Sequence, residues 1–178
     1  MMNADVVELV AGIIASAPRH MLVGRIRLQK IAYLLKQLGA PIPFQFGYYH
    51  YGPYASEMEK AAYDAKERGL INEKIRARKS DGAQYSIFMA SDDTEKVKKL
   101  PSEYADRVAM LAEIDPVILE LAATAHWLSE VERVGDWEKE IRLRKTWKVD
   151  NGRLDEARKL LKELGLPPAE SAENPARA

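Results

Sequence analysis

Apolar residues recur every three or four positions through the first forty residues, which is the spacing of one face of an amphipathic helix. The first set runs from Val6 to Ile14 and is followed by Pro18, which cannot continue a helix. The second runs from Ile26 to Leu38 and is followed by Gly39, a residue that commonly ends helices. The spacing therefore predicts two helices in this part of the chain.

The next stretch, FQFGYYHYGPYASEMEK from Phe44, changes to a two-residue period in which aromatic residues alternate with other types. This period predicts a short strand over residues 44–48. Pro53 has the backbone dihedral of a first helical turn, so a third helix is expected over residues 54–68. Gly52 and Pro53 would then form a structural joint between strand and helix, because glycine permits a turn that other residues resist.

Two further runs with a two-residue period, LINEKIRARK and AQYSIFMA, flank Asp81 and Gly82. An Asp-Gly step favours the tight turn whose twist matches that of paired strands. The pattern therefore predicts a β-hairpin. The side chains expected to cover the core from this hairpin are Ile71, Ile75, Ala77, Tyr85, Ile87 and Met89.

After about residue 92 the pattern is helical only. Helices are expected near residues 94–99, 102–113, 115–132, 136–145 and 151–164. The fold class predicted is α+β and mainly helical. It consists of a winged-helix-like core over residues 1–91, in the order helix, helix, strand, helix, β-hairpin, and a helical extension over residues 92–166 packed on that core as one compact unit. Residues 167–178 are small and polar, and a disordered tail is expected there.

Composition narrows the range of functions. The 178 residues carry 27 basic and 27 acidic side chains, so no overall basic excess favours non-specific binding to nucleic acid. The chain has no cysteine, which fits a reducing compartment. The N-terminus lacks the basic segment of a signal peptide, and no apolar run has the length of a membrane span. We therefore expect a cytoplasmic protein without a membrane partner.

The sequence carries no recognisable motif of a catalytic or cofactor site. His20, His50 and His126 lack the spacing of metal ligands, and the chain contains no Gly-rich phosphate loop or nucleophile elbow. His126 lies among the packing positions of LELAATAHWLSE and is interpreted as a structural histidine. The sequence therefore predicts a protein that is not an enzyme and binds neither a cofactor nor a metal. An unrecognised hydrolase is kept as a third hypothesis.

Charge and aromatic residues are unevenly distributed. No acidic residue lies between Glu8 and Glu57, whereas the second predicted helix is basic. Exposed tyrosines beside such a helix are typical of protein interfaces, although a solvated helix face and a buried aromatic strand are the simpler alternatives. The candidate protein-binding residues are Arg25, Arg27, Lys30, Lys36, Tyr49, Tyr51 and Tyr54.

The winged-helix layout also allows DNA binding. Arg76, Arg78 and Lys79 lie next to the tip of the predicted hairpin, where they could contact phosphates. The would-be recognition helix, however, carries Glu57 and Glu59 at its N-terminal end, and carboxylates repel the DNA backbone. A winged-helix transcription regulator is therefore the alternative hypothesis rather than the leading one.

Three segments, RLQKIAYLLKQLG, FQFGYYHYGPYASEM and ERGLI, resemble the Panacea domain family, which includes SocA-like, phage-associated antitoxins and YwgA-like proteins. The likeness covers residues 24–75 and is nearest to the YwgA-like branch. Weaker similarity extends to LELAATAHWL and RLRKTWK. The matching positions are Leu28, Gln29, Lys30, Tyr33, Tyr51, Gly52, Pro53, Gly69, Leu70 and Ile71.

This resemblance implies a mainly helical domain with a small sheet that acts by binding other proteins. Family members neutralise toxins, and SocA-like members deliver a toxin to a protease. No catalytic residue is implied. The leading hypothesis is therefore a non-enzymatic protein-binding module, antitoxin-like or adaptor-like, whose partner is a toxin or another protein encoded next to it.

Overall fold

The computed structural model describes residues 2–93 and 95–168. The fold is α+β and mainly helical, as predicted. Short helical turns at Pro18–His20, Trp127–Val131 and Thr146–Val149 supplement the regular elements. These elements are, in chain order, α1 (Ala4–Ser16), β1 (Met21–Val23), α2 (Arg25–Gln37), β2 (Gly47–Tyr49), β3 (Gly52–Tyr54), α3 (Ser56–Glu67), β4 (Ile71–Ala77), β5 (Gln84–Ala90), α4 (Ser102–Ala112), α5 (Pro116–His126), α6 (Trp137–Lys145) and α7 (Arg153–Leu164).

Strands β1, β5 and β4 form an antiparallel sheet with β5 in the middle. The predicted hairpin β4–β5 is confirmed, and Gly82 in its turn has a positive φ of 73°. Strand β1 was not predicted. It is only three residues long, which is too short for a two-residue period to be recognised in the sequence.

The prediction of which side chains of this sheet face the core was largely wrong. Ile71 is buried as expected, but on β5 the buried side chains are Ser86, Phe88 and Ala90 rather than those of Tyr85, Ile87 and Met89. The pairing of β5 with β1 sets this choice, because Phe88 lies opposite the buried Leu22. The predicted core positions Ile75 and Ala77 are exposed, since that end of the hairpin extends past the core.

The aromatic stretch forms a separate hairpin rather than a strand that leads into a helix. Strand β2 pairs with β3, and Tyr48 lies opposite Pro53. The expectation that Pro53 begins the third helix is therefore wrong, because α3 begins at Ser56. Proline is compatible with this position because the hairpin has only two strands, so each keeps one edge without ladder hydrogen bonds.

The C-terminal helices follow the prediction within a few residues, except for the helix expected near 94–99. Residues 95–99 contain a turn and no helix, and residue 94 lies outside the described residues. Here the chain packs closely on α1, where the Lys98 carbonyl would lie 2.9 Å from a Cβ at Gly12. Of the predicted tail, residues 169–178 also lie outside the described part.

One hydrophobic cluster runs through both halves of the chain. It joins side chains of α1 and α2, such as Ile13 and Leu35, to side chains of α4, α5 and α7, such as Leu111, Leu121 and Leu161. Helix α5 is largely buried, and strand β3 of the hairpin β2–β3 packs against it. Within residues 2–93 and 95–168, none of the helices has both the length and the apolar composition needed to cross a membrane.

Candidate protein-binding surface

The hairpin β2–β3 reverses direction at His50 and Tyr51, and the next residue, Gly52, has a φ of +84°. A side chain at this position would be strained, because L-residues rarely adopt such a conformation. It would also collide with α5, because a Cβ on Gly52 would lie 2.5 Å from Thr124 Oγ1. The backbone of the hairpin therefore approaches α5 closely at Gly52.

Two buried lysines hold the hairpin in place. Lys30 of α2 donates a hydrogen bond from Nζ to the Pro53 carbonyl at 2.6 Å. Lys145, at the end of α6, donates to the His50 carbonyl at 3.1 Å. The carbonyls of His50 in the turn and of Pro53 in the following strand thus accept hydrogen bonds from different parts of the chain. These contacts fix the hairpin relative to both α2 and α6.

The carboxylate of Glu120, which is buried on α5, balances part of this positive charge. It accepts a hydrogen bond from Lys145 at 2.8 Å, and both of its oxygens accept from Lys148 at 2.9 Å. Burial lowers the pKa of Lys30 to about 7, and the nearby Glu120 charge opposes that shift. Burial also lowers the pKa of Lys145, again against the effect of Glu120. Two lysines, Lys145 and Lys148, therefore bind one buried carboxylate beneath the hairpin, and Lys30 lies close enough to interact with its charge.

Tyr48 is the ring of the hairpin that packs inward. The centroid of the Tyr48 ring lies 6.4 Å from that of the Trp127 ring. The guanidinium carbon of Arg144, a residue of α6, lies 4.7 Å from the Tyr48 centroid. Arg144 is itself held by two hydrogen bonds to Glu132, at 2.7 and 2.9 Å. The Arg144 guanidinium, held by Glu132, therefore fixes the Tyr48 ring by a cation–π contact and covers the side of the hairpin that faces α6.

Tyr49 and Tyr51 are the rings of the hairpin that remain accessible, with exposures of 56% and 51%. Lys148 Nζ lies 4.9 Å from the Tyr51 centroid, so the same ammonium that binds Glu120 also supports this ring. On the other strand, Tyr54 contacts Tyr49 edge-on at 5.1 Å and is partly buried. Of the three predicted tyrosines, two are therefore free to contact a partner over about half their surface.

Further exposed apolar side chains lie on the adjoining segment. Leu143 near the end of α6 is 65% exposed, and Trp147 in the following helical turn is 63% exposed. Trp147 directly precedes Lys148, whose side chain reaches the hairpin. We refer to the exposed side chains Tyr49, Tyr51, Leu143 and Trp147 collectively as the aromatic surface. Lys148 links Tyr51 to the segment of Trp147, whereas Tyr49 contacts Tyr54 on the other side of the hairpin. Exposed apolar groups of this size on adjoining elements are typical of interaction sites.

The basic helix α2 does not present the free cationic face that was predicted. Lys30 was wrongly placed on the surface, because its ammonium group is buried against the hairpin. Arg27 and Lys36 donate to backbone carbonyls at 2.5–3.0 Å. Arg25 forms an ion pair with Glu73 at 2.7 Å, although its side chain remains half exposed. Three of the four cations therefore have structural hydrogen bonds to the backbone.

The candidate nucleic-acid contacts lie at the outer end of the hairpin β4–β5. Arg76, Arg78 and Lys79 are all exposed. Arg78 forms an ion pair at 2.9 Å with Asp81 in the turn. The first turn of α3 carries two exposed glutamates, as the sequence indicated. The three cations are therefore accessible at the outer end of the hairpin, whereas the first turn of α3 is acidic.

His126, interpreted as a structural histidine, is buried and its Nδ1 lies 2.8 Å from the Tyr33 hydroxyl, a hydrogen bond. Burial lowers the pKa of His126, which favours the neutral imidazole. In the described part of the chain, no cluster of three or more histidine, aspartate or glutamate side chains has a geometry suited to a metal.

Sequence reasoning missed Glu120, Lys145 and Lys148, which hold the hairpin. One signal was available, since Glu120 is the single acidic residue within the apolar run VILELAATA. A carboxylate at such a position is buried with its helix face and needs a cationic partner. Leu143 and Trp147 gave no comparable signal, because only the tertiary structure shows that their segment adjoins the hairpin.

A known bacterial protein is similar to this chain over most of its length. The chain is similar to "Uncharacterized protein YwgA" of Bacillus subtilis (strain 168), with 25% identity over 149 residues, which cover 80% of this chain and 87% of that protein. No protein-family model matches the chain. The similarity is consistent with the YwgA-like branch suggested by the sequence motifs and extends over both halves of the fold.

Proposed function

We propose that the protein is a non-enzymatic protein-binding module, antitoxin-like or adaptor-like, that binds a partner protein through the aromatic surface. The observation that carries this proposal is the exposure of Tyr49, Tyr51, Leu143 and Trp147, each more than half accessible, on two elements linked by Lys145 and Lys148. The resemblance of residues 24–75 to the Panacea domain family supports the same function.

The anchoring of the hairpin supports this proposal energetically. A binding surface made of rigid rings loses little conformational entropy when a partner docks, and aromatic residues frequently supply most of the binding energy. Lys30 and Lys145 fix the backbone at Pro53 and His50, so the rings of Tyr49 and Tyr51 are held on a rigid support. The surface is therefore organised before binding.

A pull-down from the native host tests the proposal. The bait would be the tagged protein, with half of each sample treated with nuclease, and bound proteins would be identified by mass spectrometry. We expect a stoichiometric partner that survives nuclease and is lost when the bait carries Tyr51→Ser and Trp147→Ser. The matched control is Tyr63→Ser, which removes an equally exposed tyrosine from α3. A partner retained by the double variant would contradict the assignment of this surface.

Coexpression with the product of each adjacent gene tests the antitoxin form of the proposal. We expect one neighbour to be toxic alone and harmless when the wild-type protein is present. The Tyr51→Ser and Trp147→Ser variant should fail to protect while it accumulates to the wild-type level. If no neighbour is toxic but a partner is captured, the adaptor form is the one supported.

A winged-helix transcription regulator is the second candidate. The order α1–β1–α2–β2–β3–α3–β4–β5, with the sheet order β1–β5–β4, supports it, since it resembles a winged-helix arrangement into which the hairpin β2–β3 is inserted. The exposed Arg76, Arg78 and Lys79 would then contact phosphates. This function predicts binding to duplex DNA that weakens steeply with salt and more gradually after any one of these residues is replaced by alanine.

A further inference from the structure

The strand β4 lies at the edge of its sheet. It pairs with β5 on one side, and no strand of the described residues pairs with its other side. Hydrogen bonds of 2.9 Å at the two ends of the hairpin, from Ser91 N–H to the Leu70 carbonyl and from Arg78 N–H to the Ala83 carbonyl, identify bonded pairs. Because such pairs alternate along an antiparallel ladder, the even-numbered residues of β4 bond to β5. The odd-numbered residues direct N–H and C=O groups toward the open edge.

This edge is accessible over the outer half of the strand. Residues 74–79 are all exposed, and the side chain of Ile75 is 59% exposed. By contrast, Ile71 is buried and Glu73 is tied to neighbouring cations. The outward backbone groups of Ile75 and Ala77 are therefore available to an additional strand, whereas the inner end of the edge is covered.

The two faces of this outer segment differ in character. Lys74 and Arg76 lie on one face, while Ile75 and Ala77 lie on the other, because side chains alternate along a strand. With Arg78 and Lys79, the segment carries four exposed cations. Of these four, Arg78 is the one that forms an ion pair with Asp81. Cations on an edge repel a second copy of the same strand and attract an acidic one.

We propose that the outer edge of β4 binds an extended acidic segment of a partner protein, which joins the sheet as a fourth strand. The outward N–H and C=O groups of Ile75 and Ala77 provide its backbone hydrogen bonds. A segment that alternates carboxylates with small β-branched residues fits best, because its carboxylates then lie beside Lys74 and Arg76 and its apolar residues beside Ile75. This site is separate from the aromatic surface and does not depend on it.

A fluorescein-labelled peptide of alternating Glu and Val residues, titrated with the full-length protein and followed by fluorescence anisotropy, tests the proposal. The control peptides are an alternating Lys-Val peptide, an alternating Glu-Val peptide interrupted by proline, and a peptide with its Glu and Val residues in separate blocks. We expect the uninterrupted Glu-Val peptide to bind at least about ten-fold more tightly than each control. Equal binding of the block peptide would overturn the proposal, because net charge alone would then explain the affinity.

Ile75→Pro tests the backbone contribution. Proline removes the outward N–H of residue 75 without removing a hydrogen bond to β5, and proline is tolerated on strand edges. The matched control Ile75→Thr keeps that N–H and changes only the side chain. We expect roughly a ten-fold loss of peptide affinity for the proline variant and less than about a three-fold loss for the threonine variant. Equal affinities of the two variants would overturn the strand-addition geometry.

A charge-reversal pair keeps the test informative if the proline variant does not fold. Replacing Lys74→Glu and Arg76→Glu changes only exposed side chains, and it should transfer the preference from the Glu-Val to the Lys-Val peptide. An unchanged preference would overturn the charge assignment. Competition with a DNA duplex completes the experiment, because a duplex that displaces the peptide and binds more tightly would assign these cations to phosphate instead.

Discussion

Replacing Gly52 with alanine probes the contact between the hairpin β2–β3 and α5. The glycine has a φ of +84°, and the new Cβ would lie 2.5 Å from Thr124 Oγ1. Thr124 is completely buried on a helix that packs against α2 and α7, so it has little freedom to move away. The substitution therefore combines backbone strain with a steric overlap in the interior.

The two contributions have different magnitudes and can be separated. A non-glycine residue in the left-handed region costs about 1–2 kcal/mol. Inserting a methyl group into a packed interior costs about 1–3 kcal/mol. We therefore expect Gly52→Ala to lower the free energy of unfolding by roughly 2–5 kcal/mol. The steric overlap accounts for the part of this loss in the free energy of unfolding that depends on Thr124.

Urea denaturation followed by circular dichroism measures this loss, and two variants of Thr124 separate the contributions. Thr124 Oγ1 has no hydrogen-bond partner among the described residues, so its removal leaves no group unpaired. In a Thr124→Ala background the cost of Gly52→Ala should fall to the backbone strain of about 1–2 kcal/mol. In a Thr124→Val background, which keeps the branched shape, the full cost should remain. Equal costs in both backgrounds would refute the steric argument, and an unchanged urea midpoint for Gly52→Ala alone would refute the strain as well.

Three further predictions concern Lys30, Gln29 and Asp115. Because burial lowers the pKa of Lys30 to about 7 from 10.5, the unfolded chain binds an additional proton between these values and stability should rise with pH there. The rise in the free energy of unfolding should amount to at most roughly 5 kcal/mol, and Lys30→Met should remove it in urea titrations at successive pH values. An unchanged pH profile would contradict the assignment. Gln29→Leu should cost about 1–3 kcal/mol in thermal unfolding because it leaves the buried N–H of Ala55 unpaired, whereas the Ala55 carbonyl keeps its hydrogen bond from the Met58 N–H. A variant as stable as the wild type would argue otherwise. Asp115→Ala should cost about 1 kcal/mol by removing the N-cap of α5, whereas Asp115→Asn should retain most of the stability.

The helices and the hairpin β4–β5 could be predicted because their patterns are local. In α2, for example, the apolar residues from Leu28 to Leu35 follow the helical period, and Gly39 ends it. The strand β1 and the hairpin β2–β3 depend on distant contacts instead. Three residues at Met21–Val23 become a strand only because β5 lies beside them. The Pro53 carbonyl likewise has its hydrogen bond because Lys30 reaches it.

Side-chain direction was less predictable than the elements themselves. On β5 both alternating sets contain apolar residues, so the two-residue period did not separate the core face from the outer face. The set of side chains that contains Tyr85 and Ile87 is the more hydrophobic one. The set that contains Phe88 and Ala90 nevertheless faces the interior, because β1 and α1 contact β5 there. The same limit applies to Lys30, since a lysine on a helix gives no local sign that a buried carbonyl lies within its reach.

The buried lysines link the stability of the hairpin to its proposed function. A packed apolar interior is often as stable as a buried ion cluster of the same volume, so stability alone does not require lysines beside Glu120. The carbonyls of His50 and Pro53, however, each need a donor, and an apolar residue could not supply one. The lysines therefore specify one position of the turn on α5, and with it one position of the exposed rings. In the proposed function, a change that loosens this anchor weakens partner binding without altering any residue that touches the partner, because the rings must then be ordered during binding.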